Sequence, residues 1–187
     1  LNIYNDTPEI RNQISFMKEC QKKVKNILAI CWGMQVAVTA AGGVVKKSSN
    51  GAHIGIANQL IINEQGLKHP LYSGKKNNFN TPAFNFDEVV TLPENGVCLA
   101  SNKINKVQGM YFKINNNNVW GLQYHPEITY QKMIQLIKFR KDRLIETRKV
   151  FANHDQVNEH ISFIEKEISI SDNQQRMIEL RNWLNSI

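Results

Sequence analysis

The chain has 187 residues with 23 Lys and Arg against 16 Asp and Glu, a formal net charge of +7. Apolar residues at 42% and charged residues at 21% match ordinary globular usage and exclude a disordered, collagen-like or low-complexity chain. Cys20, Cys31 and Cys98 are too few and too scattered for a disulfide framework, and neither they nor the histidines have metal-ligand spacing.

Asp6-Thr7-Pro8-Glu9 is a helix start, with a capping side chain, a proline for the first turn and an early acid. Ile10, Ile14, Met17 and Val24 recur at helical spacing, and Lys22, Lys23 and Lys25 suit the C-terminal end. Ile27 to Ile30 reads as a buried parallel strand. Cys31-Trp32-Gly33 follows at once, and a helix over Met34 to Ala41 ends at Gly42-Gly43. The apolar stretch from Ile27 to Ala41 is shorter than the roughly 20 residues of a membrane helix. A reduced, cytoplasmic protein that does not enter membranes is expected.

Short strands are predicted at Gln59 to Ile62, Thr81 to Phe84, Val97 to Ala100, Val107 to Lys113 and Val119 to Gln123. Asn115 to Asn118 is the polar turn of a hairpin between the last two. Beyond Thr129 the chain is helical, with Leu136, Ile137, Leu144 and Ile145 as an apolar stripe, and two more helices over Val157 to Ile168 and Asn173 to Leu184. Helix and strand alternating before terminal helices indicate an α/β fold. Cys20 and Cys98 read as packing residues and Trp183 as an anchor for the last helix.

A cysteine on a tight strand-to-helix turn is the thiol form of a nucleophile elbow, which lifts the side chain out at the end of a sheet. The helix that follows aims its positive end at the sulfur. Ala29 and Gly33 supply the small neighbours this turn needs, and Gln35 lies one helical turn beyond. By itself Cys31 could equally be a buried apolar side chain. His125-Pro126-Glu127 adds the other roles: residues two apart on an extended segment project to one side, so Glu127 can orient the His125 ring toward a thiol.

These segments carry a resemblance. Ala29-Ile30-Cys31-Trp32-Gly33-Met34-Gln35, followed by Ala41-Gly42-Gly43, resembles the nucleophile segment of class I glutamine amidotransferases, and Trp120 to Glu127 resembles their histidine–glutamate segment. The likeness covers most of Thr7 to Glu127 and is nearest the stand-alone branch similar to the glutaminase domain of GMP synthetase. It implies an open, mostly parallel central sheet flanked by helices, a flavodoxin-like core, with C-terminal helices added. It also implies that Cys31 attacks the side-chain amide of glutamine to give a γ-glutamyl thioester. His125 would act as base and acid, Glu127 as its orienter, the Trp32 N–H as an oxyanion donor and Gln35 as a substrate contact, with no cofactor or metal. Ammonia would pass to a synthase subunit.

Three departures accompany the resemblance. Ala29 stands where the family has glycine. Phe84-Asn85-Phe86 replaces a Ser-His pair that helps grip glutamine, which leaves the role of the Asn85 region open. The family's first strand and oxyanion loop have no counterpart before Asn5, so residues are expected to be missing ahead of Leu1. The expected organisation is one domain over 1–187, with a core of 1–128 and a helical segment of 129–187. Seven Lys and Arg between Lys132 and Lys149 read as a solvated helix face or a partner contact, and nucleic acid is not expected to bind. Two other readings stay open: hydrolysis of a different γ-glutamyl compound, and a catalytically silent binding or regulatory relative.

Overall fold

The computed structural model describes residues 2–187. After a 3-10 turn at Ile3–Asn5, helix α1 spans Pro8–Lys23. It begins where the sequence predicts: Thr7 Oγ1 accepts from the Ile10 N–H at 3.4 Å, and Pro8 sits in the first turn, where a missing N–H loses no hydrogen bond. Ile10 is fully buried on its inner face, with Ile14 and Met17 packed beside it. Strand β1 (Asn26–Ile30) leads through Cys31 into α2 (Trp32–Ala40). Gly42, at φ +87°, takes the left-handed conformation that ends this helix without a Cβ clash.

The middle of the chain supplies β2 (Val44–Lys47), β3 (His53–Ile54), β4 (Ala57–Ile62), α3 (Glu64–Lys68), β5 (Phe79–Thr81), β6 (Phe84–Asn85) and β7 (Asp87–Thr91). Then come β8 (Val97–Ser101), β9 (Gly109–Ile114) and β10 (Asn117–Leu122). The main sheet has the order β1-β10-β9-β8-β4-β5, while β2–β7 and β3–β6 form separate ladders. This is the expected α/β class, with an open central sheet flanked by helices.

Strand direction in the sheet is mixed. β1 runs parallel to β10, and the other pairs of the main sheet are antiparallel. Connection length is the cause at β9 and β10: only Asn115 and Asn116 separate them, and so short a turn permits antiparallel pairing alone. The polar turn is thus two residues long, with Asn117 and Asn118 already in β10. The strand predicted over Thr81 to Phe84 is divided, because Pro82 has no N–H to offer a ladder. The sequence pattern does not predict β2, β3 or β7.

C-terminal to the sheet, α4 (Tyr130–Asp142) is capped by Thr129 and continues into a π turn at Arg143–Thr147. Helices α5 (His154–Ile170), α6 (Asn173–Arg176) and α7 (Ile178–Leu184) follow. Ile134, Ile137, Leu144, Val157, Ile161 and Ile164 form a cluster that also covers Ile54 and Ile56. Trp183 packs α7 against the sheet cluster. Cys98 is half-buried, and burial pushes its thiol up. Among the described residues no helix is long and apolar enough to cross a membrane, and no group of three or more His, Cys, Asp or Glu could hold a metal ion.

His53 makes the fold sensitive to acid. Its side chain is buried, with Nε2 2.9 Å from Asn102 Nδ2 and 3.2 Å from Gln108 Nε2. Two amide donors require that nitrogen to be an unprotonated acceptor. Burial pulls the pKa down to about 4, against hydrogen bonds from Asn85 and Asn102 that raise it. The unfolded chain therefore takes up this proton first, near pH 6.5, and stability contributed by His53 is lost as pH falls from there to about 4. The loss amounts to about 3 kcal/mol at most. Urea midpoints at pH 7 and pH 4.5 should differ by more for wild type than for His53→Gln. Equal differences would remove His53 as the cause.

Candidate active site

The parallel register of β1 and β10 builds the site. Ile30 pairs with Leu122 at the carboxyl ends of both strands, so the next residues, Cys31 and Gln123, leave the sheet side by side. The Cys31 N–H donates to Leu122 O at 2.7 Å, which extends the ladder by one bond. At Cys31 the backbone turns sharply, with φ 50° and ψ −107°, and α2 starts at the next residue. This is a sparsely populated conformation for a side-chain-bearing residue, held by the strand on one side and the helix on the other. As the first residue of α2, Trp32 has an N–H with no acceptor inside the helix. Its indole Nε1 donates to Gln13 Oε1 at 2.6 Å, which fixes the ring over α1.

His125 lies two residues beyond Gln123 on the same extended segment. Its N–H donates to Pro82 O at 2.7 Å, and its Nδ1 is 2.6 Å from Glu127 Oε1. Burial works against the charged imidazole. Hydrogen bonds with Cys31 and Glu127, and their negative charge, outweigh it and raise the pKa to about 9. The histidine therefore holds its proton at neutral pH, between the sulfur and the carboxylate. Cys31, His125 and Glu127, separated in sequence by up to 96 positions, are one contiguous group.

Gln123 is a site residue that the sequence motifs do not single out. It is fully buried, and its Nε2 lies 3.6 Å from Cys31 Sγ, a donor aimed at the sulfur. Its Oε1 accepts from Gln35 Nε2 at 3.3 Å. Gln35 does line the cavity over Cys31, as expected, but its amide nitrogen is directed to Gln123. The period-two spacing from His125 is the available signal for Gln123.

A cavity of about 510 Å³ opens over the sulfur, a volume typical of small-molecule sites. Cys31, Trp32, Gln35 and His125 form its floor; Phe84, Asn85 and Asp87 form one wall. Asn85 is buried and donates from Nδ2 to Asp87 O at 3.0 Å, so this segment is shaped by its own backbone contacts. The opposite wall comes from α4 and the π turn, where Arg140 and Arg143 face the cavity along with the more distant Arg148. The basic stretch is therefore not wholly a solvated face.

The family model for glutamine amidotransferase class-I matches residues 5–142. The chain belongs to the class-I glutamine amidotransferases. A gamma-glutamyl-L-1-hydroxyisopropylamide hydrolase from Pseudomonas sp. is 28% identical over 204 aligned positions, covering 100% of the chain and 69% of the relative. The glutamine-hydrolysing subunit of a GMP synthase from Methanoculleus marisnigri is 31% identical over 104 positions, covering 56% of the chain and 53% of the relative. Gamma-glutamyl peptidase 4 of Arabidopsis thaliana is 28% identical over 136 positions, covering 72% and 53%. The chain thus spans about half to two thirds of these relatives. The crystal structure of a glutamine amidotransferase from Thermotoga maritima superposes with a TM-score of 0.74 at 19% identity, over 100% of the chain and 73% of that structure. The family match and the named relatives place this amidotransferase among glutamine amidotransferase-type hydrolases.

Proposed function

We propose that the amidotransferase hydrolyses the γ-amide bond of a γ-glutamyl compound, glutamine included, with Cys31, His125 and Glu127 as a catalytic triad. The observation that carries this reading is the strained Cys31 facing an imidazole that Glu127 orients at 2.6 Å. The sulfur attacks the γ-carbonyl carbon, and the oxyanion that forms is held by the Trp32 N–H. His125 then gives its proton to the departing amine or ammonia, leaving a γ-glutamyl thioester on Cys31. Water enters, loses a proton to His125 and releases glutamate. Gln123 donates to the sulfur and steadies it between these steps. The core and the C-terminal helices act as one catalytic unit, since α4 walls the cavity.

Of the two substrate readings, the γ-glutamyl amide is favoured by the match to the Pseudomonas hydrolase, which extends over the whole chain. The partial match to the GMP synthase component supports the other, in which glutamine is the substrate and a synthase partner takes the ammonia. Incubation with glutamine and with γ-glutamylethylamide, with glutamate release followed, separates them. An electrophilic glutamine analogue should also add to Cys31, as read by peptide mass spectrometry. A protein that neither releases glutamate nor takes the label is a silent relative.

A further inference from the structure

Two aromatic rings hold guanidinium groups against the reaction cavity. Phe84 and Phe86 pack edge to face, with centroids 6.1 Å apart. Arg140 Cζ lies 5.2 Å from the Phe84 centroid, and Arg148 Cζ lies 4.5 Å from that of Phe86. Stacking of this kind fixes the guanidinium plane and leaves its N–H edges to reach a planar anion. Arg143, in the first position of the π turn, adds a third cation to the same lining. None of the three forms an ion pair with a carboxylate among the described residues.

Charge matching decides what such a wall accepts. Asp87 is the one acidic side chain among the described lining residues, and Arg148 acts on its carboxyl electrostatically. A γ-glutamyl head group is a zwitterion with no net charge. With Asp87 set against Arg148, two arginines still face the cavity after the head group is bound. A ligand with a further carboxylate meets them; an uncharged amine portion leaves them unmatched.

We propose that Arg140 and Arg143, supported by Arg148, form an anion subsite beyond the scissile amide, so that the preferred substrates are γ-glutamyl amides whose amine portion carries a carboxylate. This rests on the γ-glutamyl hydrolase reading above. The arginines are specificity residues that contact the part of the substrate released with the amine; they take no part in the proton transfers.

The test compares γ-glutamylglutamate with γ-glutamylethylamide, which share the γ-glutamyl half and differ in charge beyond the amide. Wild type should prefer the acidic substrate by about tenfold or more in kcat/KM, as expected for one well-placed charged hydrogen bond. The preference should shrink in about 0.5 M salt, where exposed charges are screened. In Arg140→Gln/Arg143→Gln the ratio should fall toward 1, and Arg140→Lys/Arg143→Lys should restore part of it. An unchanged ratio overturns the proposal. An equal loss for both substrates also overturns it, because the arginines would then serve the α-carboxylate of the shared half. Calorimetry with the same two ligands on Cys31→Ala protein reads the subsite without turnover. Tighter binding of γ-glutamylglutamate there supports the subsite even if wild type cleaves neither compound, a result that would count against the hydrolase reading alone. Equal binding overturns the subsite.

Discussion

Replacement of Cys31 by alanine should lower kcat by about 10⁴-fold or more, because no other group in the site can form the acyl intermediate. The same substitution should lower the pKa of His125. In the intact site, burial opposes the charged ring while contacts with Cys31, and then with Glu127, raise the value to about 9. Without the sulfur, the leading opposing cause is gone. The sign for stability follows from a folded value above the unfolded 6.5: the contribution of His125 is fully present below pH 6.5 and is lost as pH rises through about 9. Activity that depends on the protonated ring should decline on the same alkaline limb. An NMR titration of the His125 ring in wild type and Cys31→Ala, beside kcat measured against pH, checks both. A pKa that does not move would break the link between sulfur and imidazole. Substantial turnover by the variant would end the nucleophile assignment.

Glu179→Ala should destabilise the fold by about 3–5 kcal/mol, the range for stripping one partner from a buried ion pair. Lys75 Nζ lies 3.0 Å from Glu179 Oε1, with side-chain exposures of 2% and 0%. Tyr124 Oη donates to the same carboxylate at 2.6 Å and lies 3.0 Å from Tyr72 Oη. Burial and the neighbouring carboxylate push both phenols well above their ordinary range. Removing Glu179 leaves the Lys75 ammonium with the Gln175 carbonyl at 2.6 Å and the Phe79 ring, and without a counter-charge. Urea denaturation measures the loss, which is a large share of ordinary domain stability. The paired change Lys75→Met/Glu179→Leu should recover much of it, since it removes both charges together. If the single variant were as stable as wild type, the pair would have no structural weight.

Local chemistry is legible in the sequence, and long-range pairing is not. Thr7 and Pro8 set the start of α1, the small residues around Cys31 set the elbow, and the Asn-rich turn sets the β9–β10 hairpin. His125 and Glu127 are readable because two positions on an extended segment share a side. The main sheet's strand directions are harder, because they depend on which distant segments meet. β2 is hidden for another reason: Val44 is exposed and Lys46 and Lys47 face solvent, so it lacks an apolar signature and exists through its pairing with β7. Lys75 and Glu179 are 104 positions apart, and nothing local marks them as partners. The arginines of α4 are visible as a basic run, but their facing the cavity depends on how α4 packs over β3 and β6.

The loop that carries His125 is braced by residues some fifty positions further along the chain. Arg176 donates to Pro126 O and Ile128 O, and Asn182 Nδ2 donates to Leu71 O and Ser73 O at 3.0 and 2.9 Å. Translation delivers residues in order, at about 5–20 per second. While a ribosome is still adding residues 176–182, Cys31 and His125 have long been made, yet the support behind the histidine has not arrived. A nascent chain therefore carries every reactive group before it carries the framework that aims them. The thiol becomes an organised nucleophile only once Arg176 and Asn182 have emerged, so chemical competence lags the synthesis of the groups that perform it.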